Sequence, residues 1–114
     1  MRKTLPVSWI RTALKEFELF PEAAKTICLA ALTIAAEGGK ADIEKPMHGL
    51  GSGVFEIALP YRKEAFRVVY AVQPGDEIWV VHAFQKKSTT GVKTPTHEID
   101  LVRDRLKRLR EALR

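Results

Sequence analysis

Two strand-like segments carry side chains suited to binding phosphate and transferring protons. Arg67 stands in the run AFRVVYAV, and His82, Lys86 and Lys87 stand in VVHAFQKK. An arginine guanidinium offers a planar set of donors that matches phosphate oxygens. Histidine exchanges protons near neutral pH, and a lysine crowded by other cations loses its proton more easily. These four residues are the candidate catalytic groups.

Strand geometry divides the candidates between two faces of a sheet, because successive side chains point to opposite sides. Arg67 is expected on the face opposite Val68, and His82 on the same side as Lys86. Lys86 and Lys87 are adjacent and must point in opposite directions. Only one of the two lysines is therefore expected to reach the site, and the sequence does not say which.

Each candidate also has a purely structural interpretation. Arg67 could pair with a carboxylate on a neighbouring strand, such as Glu56. His82 lies between apolar neighbours, so a hydrogen-bonded, half-buried histidine is an alternative to a catalytic one. A lysine at a strand end could serve only solubility or the steering of phosphates. The sequence leaves both interpretations open for each residue.

Further cations and an aromatic ring would extend this surface toward a nucleic acid. Basic side chains in turns and loops neutralise phosphates, and an aromatic ring stacks on a base. A histidine in the first turn of the predicted last helix lies where the helix dipole favours an anion. The candidate nucleic-acid-binding residues are Arg62, Lys63, Lys45, Lys93, Phe84 and His97, with His48 as a further histidine in a loop.

The composition is that of an ordinary globular domain, with 46% hydrophobic and 29% charged residues among 114. We expect one domain over residues 1–114, since a chain of this size builds one core and has no room for a separate cofactor domain. Lys and Arg outnumber Asp and Glu by 19 to 14, and the formal charge of +5 favours a polyanionic partner.

Several classes of protein are disfavoured by the sequence. The single cysteine, Cys28, excludes an internal disulfide and a cysteine-based metal cluster, and its apolar surroundings indicate a buried structural thiol. The N-terminus shows no apolar leader, and the apolar run between Lys25 and Glu37 is shorter than the ~20 residues that span a bilayer. Metal-ligand spacings and phosphate-binding glycine loops are also lacking. We expect a cytoplasmic protein without metal, cofactor or membrane contact.

The elements that must position the candidates follow from hydrophobic periodicity. Segments rich in β-branched and aromatic residues, joined by short turns, predict an antiparallel meander. Helical spacing predicts two helices before the meander and one after it, and the second is so poor in charge that we expect most of its circumference to be buried. The predicted strands are Pro6–Ile10, Val54–Leu59, Phe66–Gln73 and Ile78–Gln85, the predicted helices are 11–20, 21–37 and 95–114, and Lys40–Gly53 is a predicted loop.

The last helix has a recognisable start. Thr94 is predicted as the N-cap and Pro95 as the first helical residue, and Glu98 and Asp100 add favourable negative charge to the opening turn. The predicted fold class is α+β, with two N-terminal helices packed on a small, mainly antiparallel sheet of about four strands and a C-terminal helix.

The run from Gly49 to Pro95, followed by EIDLVRDRL, resembles the phage Gp49-like or HigB-like branch of the RelE toxin superfamily. The features that carry the resemblance are the Phe55-Glu56 pair, the Arg-Val-Val-Tyr strand at 67–70, the His-Ala-Phe-Gln-Lys-Lys segment at 82–87, and Thr94-Pro95. The resemblance covers essentially the whole chain and is stronger from about Lys45 onward.

The resemblance implies the toxin of a type II toxin–antitoxin system, with a RelE-like fold and endoribonuclease activity. Such a protein cleaves mRNA on the ribosome without a metal and thereby inhibits translation and growth. A cognate antitoxin, expected to be a helix-turn-helix HigA-like protein, holds it inactive, and the complex is expected to bind operator DNA. One departure is that the basic loop STTGVKTP has no tyrosine, which some branches use near the C-terminus.

The candidate residues suit that chemistry. Metal-free RNA cleavage requires activation of a ribose 2′-OH, stabilisation of charge on phosphorus and protonation of the departing 5′ oxygen. Two other interpretations remain open. The chain could be a non-catalytic RNA- or ribosome-binding module of the same fold, or a protein-interaction module whose last helix docks a partner instead of packing on the sheet.

Overall fold

The structure is a computed structural model that describes residues 4–73, 77–86 and 93–113. No helix within these ranges is long and apolar enough to cross a membrane. The elements in chain order are β1 (Val7–Trp9), α1 (Arg11–Glu18), α2 (Glu22–Ala36), β2 (Glu44–Pro46), β3 (Val54–Tyr61), β4 (Glu64–Gln73), β5 (Glu77–Lys86) and α3 (Thr96–Ala112).

The strands form one sheet in the order β1-β5-β4-β3-β2. The predicted antiparallel meander of β3, β4 and β5 is confirmed. The predicted first strand is also present, and it pairs with β5 in the parallel direction. The fold is α+β, as predicted.

Strand β2 corrects the prediction that Lys40–Gly53 is a loop, so the sheet has five strands instead of about four. The segment escapes detection because it is short and ends in Pro46, which is tolerated at the edge of a sheet. Glu44 in β2 is buried and accepts a hydrogen bond from the Tyr70 hydroxyl. Burial, with the contact and charge of Glu44, raises the pKa of Tyr70 above its ordinary range.

The helices cover both faces of the sheet. On one face α1 and α2 pack through Phe17, Cys28 and Leu32 against side chains that include Val68 and Tyr70. On the other face α3 packs through Val102, Leu106 and Leu109 against side chains that include Val69, Ala71 and Val81. The alternation along β4 therefore sends Arg67, Val69 and Ala71 toward α3.

Two predictions about the helices need correction. The second helix is not buried on most of its circumference, because only the side with small residues such as Ala24 and Ala31 meets the sheet. Its exposed positions include Thr26, Ile27, Leu29, Ala30, Thr33 and Ile34. The last helix begins at Thr96, with Pro95 in the N-cap position, which is one residue later than predicted. The Thr94 hydroxyl donates to Glu56 and therefore does not cap the helix.

Candidate functional site

Arg67 and His82 lie where the start of α3 covers the sheet. Glu56 on β3, Val69 on β4 and His82 on β5 are aligned across the strands. One step further along, Arg67 lies beside Phe84. The prediction that Arg67 lies opposite Val68, and that His82 shares a side with Lys86, is confirmed.

Glu56 is the centre of a buried ionic cluster. Its carboxylate is 0% exposed and lies 3.4 Å from Nη1 of Arg67. The Thr94 hydroxyl donates to Oε2 of Glu56 at 2.7 Å, and Nη1 of Arg67 donates to the same hydroxyl at 3.0 Å. From the surface, Nζ of Lys45 approaches Oε1 of Glu56 to 3.8 Å.

The structural alternative for Arg67, a pair with Glu56, is present, although Glu56 is buried and not a surface carboxylate. Arg67 is only 4% exposed, so a phosphate reaches its guanidinium only if Thr94 and its surroundings move. A catalytic role for Arg67 stays a prediction.

His82 is more deeply buried than the half-buried position expected, with 2% exposure. Its Nε2 lies 2.8 Å from Oε1 of Glu98, and its Nδ1 lies 2.8 Å from Nη1 of Arg105. Because arginine only donates, Nδ1 accepts from Arg105, and Nε2–H is then the donor to Glu98. These two contacts hold the His82 ring between α3 and the sheet.

An irregularity in β5 sets the direction of His82. Val80 pairs with Tyr70 but His82 pairs with Val69, so Val81 is an extra residue in the strand. Such a bulge changes the direction of the following side chain. Val80 faces the core under α1 and α2, whereas His82 faces α3.

Glu16 of α1 and Arg105 of α3 meet around the outer edge of β5. Arg105 donates to both carboxylate oxygens of Glu16, at 2.7 and 2.9 Å. The pair also hydrogen-bonds to the backbone of β5, because Arg105 donates to the carbonyl of Val81 and Glu16 accepts from the amide of Ala83. Burial raises the pKa of Glu16, but the hydrogen bond from Arg105 and the electrostatic interactions with His82 and Arg105 outweigh it and lower the pKa.

Sequence reasoning missed this second cluster, which consists of Glu16, His82, Glu98 and Arg105. Glu98 was expected only as favourable charge at a helix start. Glu16 and Arg105 carry no local signal, because the contact joins residues 89 positions apart. A carboxylate in an amphipathic helix usually lies on the solvent-exposed face, so the sequence does not predict a buried contact for Glu16.

The lysines of the candidate site lie at its open side. Nζ of Lys86 donates to the carbonyl of Lys93 at 2.9 Å. This hydrogen bond holds the backbone directly before Thr94. Lys93 is exposed. Lys87 and residues 88–92 of the basic loop lie outside the described residues, so both lysines stay candidates.

The remaining RNA-binding candidates divide into two groups. Arg62 and Lys63 are exposed in the turn between β3 and β4, at the end of the sheet where Ala65 pairs with Lys86. His97 is 78% exposed beside Glu98. Phe84, in contrast, is buried and stacks on His82 with ring centroids 5.2 Å apart. No structural observation tests their contact with RNA.

Cys28 has the structural role that was predicted. It is fully buried in α2, and burial raises the pKa of its thiol to about 11. Among residues 4–73, 77–86 and 93–113, no group of three or more His, Cys, Asp or Glu side chains is arranged to hold a metal ion.

Comparison with known proteins identifies the fold and the family of this chain. A solved structure of the Escherichia coli toxin RelE, a double arginine-to-alanine mutant in the free state, matches with a TM-score of 0.65 and 16% sequence identity. The match covers 93% of this chain and 98% of that chain, and it confirms the RelE-like fold. No curated protein matches the sequence. The family model described as "Phage derived protein Gp49-like (DUF891)" matches residues 15–107, and the chain therefore belongs to the Gp49-like family.

Proposed function

We propose that this protein is the toxin of a toxin–antitoxin pair and cleaves mRNA on the ribosome without a metal ion. The observation that carries the proposal is the convergence of Arg67, Lys45, Lys86 and Lys93 on the start of α3. Membership of the Gp49-like family and the shared fold with a protein named as a toxin support it. Clustered cations at strand ends suit a phosphodiester substrate.

In the proposed reaction the cations stabilise the charge that develops on phosphorus. Lys45 and Lys93 contact the RNA backbone from the surface, together with Arg62 and Lys63. Arg67 is the first candidate for the phosphate itself, which would replace its contact with Thr94. Lys86 or Lys87 donates the proton to the departing 5′ oxygen.

The proposed partners follow from the same function. A cognate antitoxin, a helix-turn-helix HigA-like protein, would hold the toxin inactive in the cytoplasm, and the complex would bind operator DNA. The toxin itself would act on mRNA within the ribosome.

Inducible expression with and without the gene of the proposed antitoxin, which is expected beside the toxin gene, followed by mapping of mRNA ends, tests the proposal. We expect growth arrest and new cleavage sites with the wild type, and neither with Lys86→Ala or with a Lys45→Ala/Lys93→Ala double variant. Lys15→Ala, which removes an exposed cation from α1, is the matched control. If the lysine variants cleave as well as the control, this site is wrong.

The burial of Arg67 and His82 favours one other function, a non-catalytic RNA- or ribosome-binding module. The two functions differ in a reaction with purified components. Tight binding to programmed ribosomes with intact mRNA would favour the binding module, whereas cleavage would exclude it.

A further inference from the structure

Glu98 is held with one carboxylate oxygen buried and the other directed outward. Oε1 accepts from Nε2 of His82 at 2.8 Å, and Oε2 lies 3.6 Å from Nε2 of the exposed His97. The side chain is 17% exposed. Glu56, the other carboxylate at the start of α3, is completely enclosed. Of these two carboxylates at the start of α3, Glu98 is therefore the one that a substrate can reach.

The imidazole behind Glu98 is fixed on both sides. Nδ1 of His82 accepts from Arg105, and Oε1 of Glu16 lies 3.2 Å from the same nitrogen. Stacking on Phe84 restrains the ring plane. Because Nδ1 is held as an acceptor, Nε2 keeps its proton and presents it to Glu98. The titratable and charged groups around Glu98 are thus His97 beside it and His82, Glu16 and Arg105 behind it.

We propose that Glu98 is the general base of the reaction and that His82 is its positioning residue. The inference rests on the proposed ribonuclease function. The 2′-O–H proton passes to Oε2 of Glu98, the 2′ oxygen forms a bond to phosphorus, and the bond from phosphorus to the 5′ oxygen breaks. The 5′ oxygen takes a proton from a lysine ammonium, and the products are a 2′,3′-cyclic phosphate and a 5′-hydroxyl. Glu98 later returns its proton to water as the lysine regains one.

The arrangement suits a general base for a physical reason. A carboxylate bound by a fixed donor on one oxygen needs no reorientation when the other oxygen accepts a proton. Bases positioned in this way typically contribute 10²- to 10⁴-fold to a rate.

The test is single-turnover cleavage of mRNA on programmed ribosomes, with binding of each variant measured in parallel. Glu98→Gln keeps an oxygen that accepts from His82 but removes the basicity. We expect its cleavage rate to fall by about 100-fold or more with Kd unchanged. Glu98→Ala leaves space for a small carboxylate, and we expect added formate to restore part of its rate. Glu111→Gln, an exposed carboxylate near the end of α3, is the matched control.

His82 is tested by a pair of variants. His82→Leu removes the donor to Glu98 and should lower the rate without changing Kd, whereas His82→Gln retains an N–H donor and should restore much of the rate. Circular dichroism establishes which variants fold. If His82→Leu does not fold, the cleavage rate of Glu98→Gln decides whether Glu98 is the general base.

The outcomes separate this inference from the proposed function. Cleavage by the wild type together with equal cleavage by Glu98→Gln would overturn the role of Glu98 and leave the ribonuclease in place. A slow Glu98→Ala variant that formate does not rescue would also overturn it, because that result indicates a structural carboxylate. No cleavage by the wild type would overturn both.

Discussion

Glu56 shows how much a single buried carboxylate can organise. It lies between β3 and α3, where Arg67, Thr94 and Lys45 all contact it. Burial of a charge is costly unless partners compensate it, and removal of one partner leaves the other uncompensated. Arg67 therefore compensates the buried charge of Glu56 in the folded protein, whether or not it also binds a substrate. Loss of activity in an Arg67→Ala variant alone would not establish catalysis.

Glu56→Gln should destabilise the protein by about 3 kcal/mol, because Arg67 would remain buried without its counter-ion. Urea unfolding followed by tryptophan fluorescence measures this difference. The control Glu111→Gln changes an exposed carboxylate and should stay within about 0.5 kcal/mol of the wild type. A loss below about 1 kcal/mol for Glu56→Gln would show that the cluster is not an electrostatic unit.

Arg62 has an unusual backbone for its residue type. Its φ is 59°, in the left-handed region, at the turn between β3 and β4. This conformation costs a residue with a Cβ about 1 to 2 kcal/mol, whereas glycine adopts it freely. An arginine at such a position is consistent with a contact that requires its charge.

Arg62→Gly should be more stable than Lys63→Gly by about 1 kcal/mol, because only the first substitution relieves backbone strain. The two variants lose the same charge from the same turn, so each is the control for the other. Thermal unfolding of the pair measures the difference. Equal stability would refute the strain at Arg62.

At the scale of elements, α2 depends on small residues where it meets the sheet. Ala24, Cys28 and Ala31 pack into the core, while Ala30 on the outer side is exposed. Close packing leaves no space for additional methylene groups. The low charge of this helix is therefore a poor guide to its burial.

Ala31→Leu should cost about 1 to 3 kcal/mol through overpacking, whereas Ala30→Leu should change stability by less than about 0.5 kcal/mol. The two substitutions are identical in chemistry and adjacent in sequence. Urea unfolding of both variants compares them directly. If both leave stability unchanged, the packing of α2 is looser than the structure indicates.

Elements with strong local patterns were predictable, and contacts between distant elements were not. The strands β3, β4 and β5 follow from runs of β-branched and aromatic residues, and every predicted end lies within two residues of the observed one. Strand β2 was missed because its pairing with β3, and not its own composition, makes it a strand. The faces on which α1, α2 and α3 lie also depend on packing across the whole sheet.

The candidate site also has features that the sequence predicts and contacts that it does not. Alternation correctly grouped His82 with Lys86 and assigned Arg67 to the face opposite Val68. Alternation carried back along β5 fails at Val81, where the bulge reverses the faces. The partners of His82 could not be predicted, because Glu16 comes from the other side of the sheet.

At the scale of the whole molecule, the pair of Glu16 and Arg105 ties together helices that lie on opposite faces. The pKa of Glu16 is lowered below its ordinary value of 4.5 in the folded protein. A group of this kind stabilises the fold above its unfolded pKa, and the stabilisation is lost as pH falls through the lowered folded pKa.

The wild type should therefore be more stable than Glu16→Gln at pH 7, and the difference should shrink as pH falls below 4.5. Urea midpoints of the two proteins at pH 7, 5, 4 and about 3 measure the trend. A difference that stays constant over this range would mean that the charge of Glu16 contributes nothing to the link between the helices.

The span of that same contact bears on how the protein is synthesised. Glu16 is made 89 residues before Arg105, and β1 pairs with β5 only after β5 has been made. A growing chain therefore lacks the support behind His82 until α3 emerges. For the function proposed above, we therefore expect a nascent chain that still lacks α3 to be inactive.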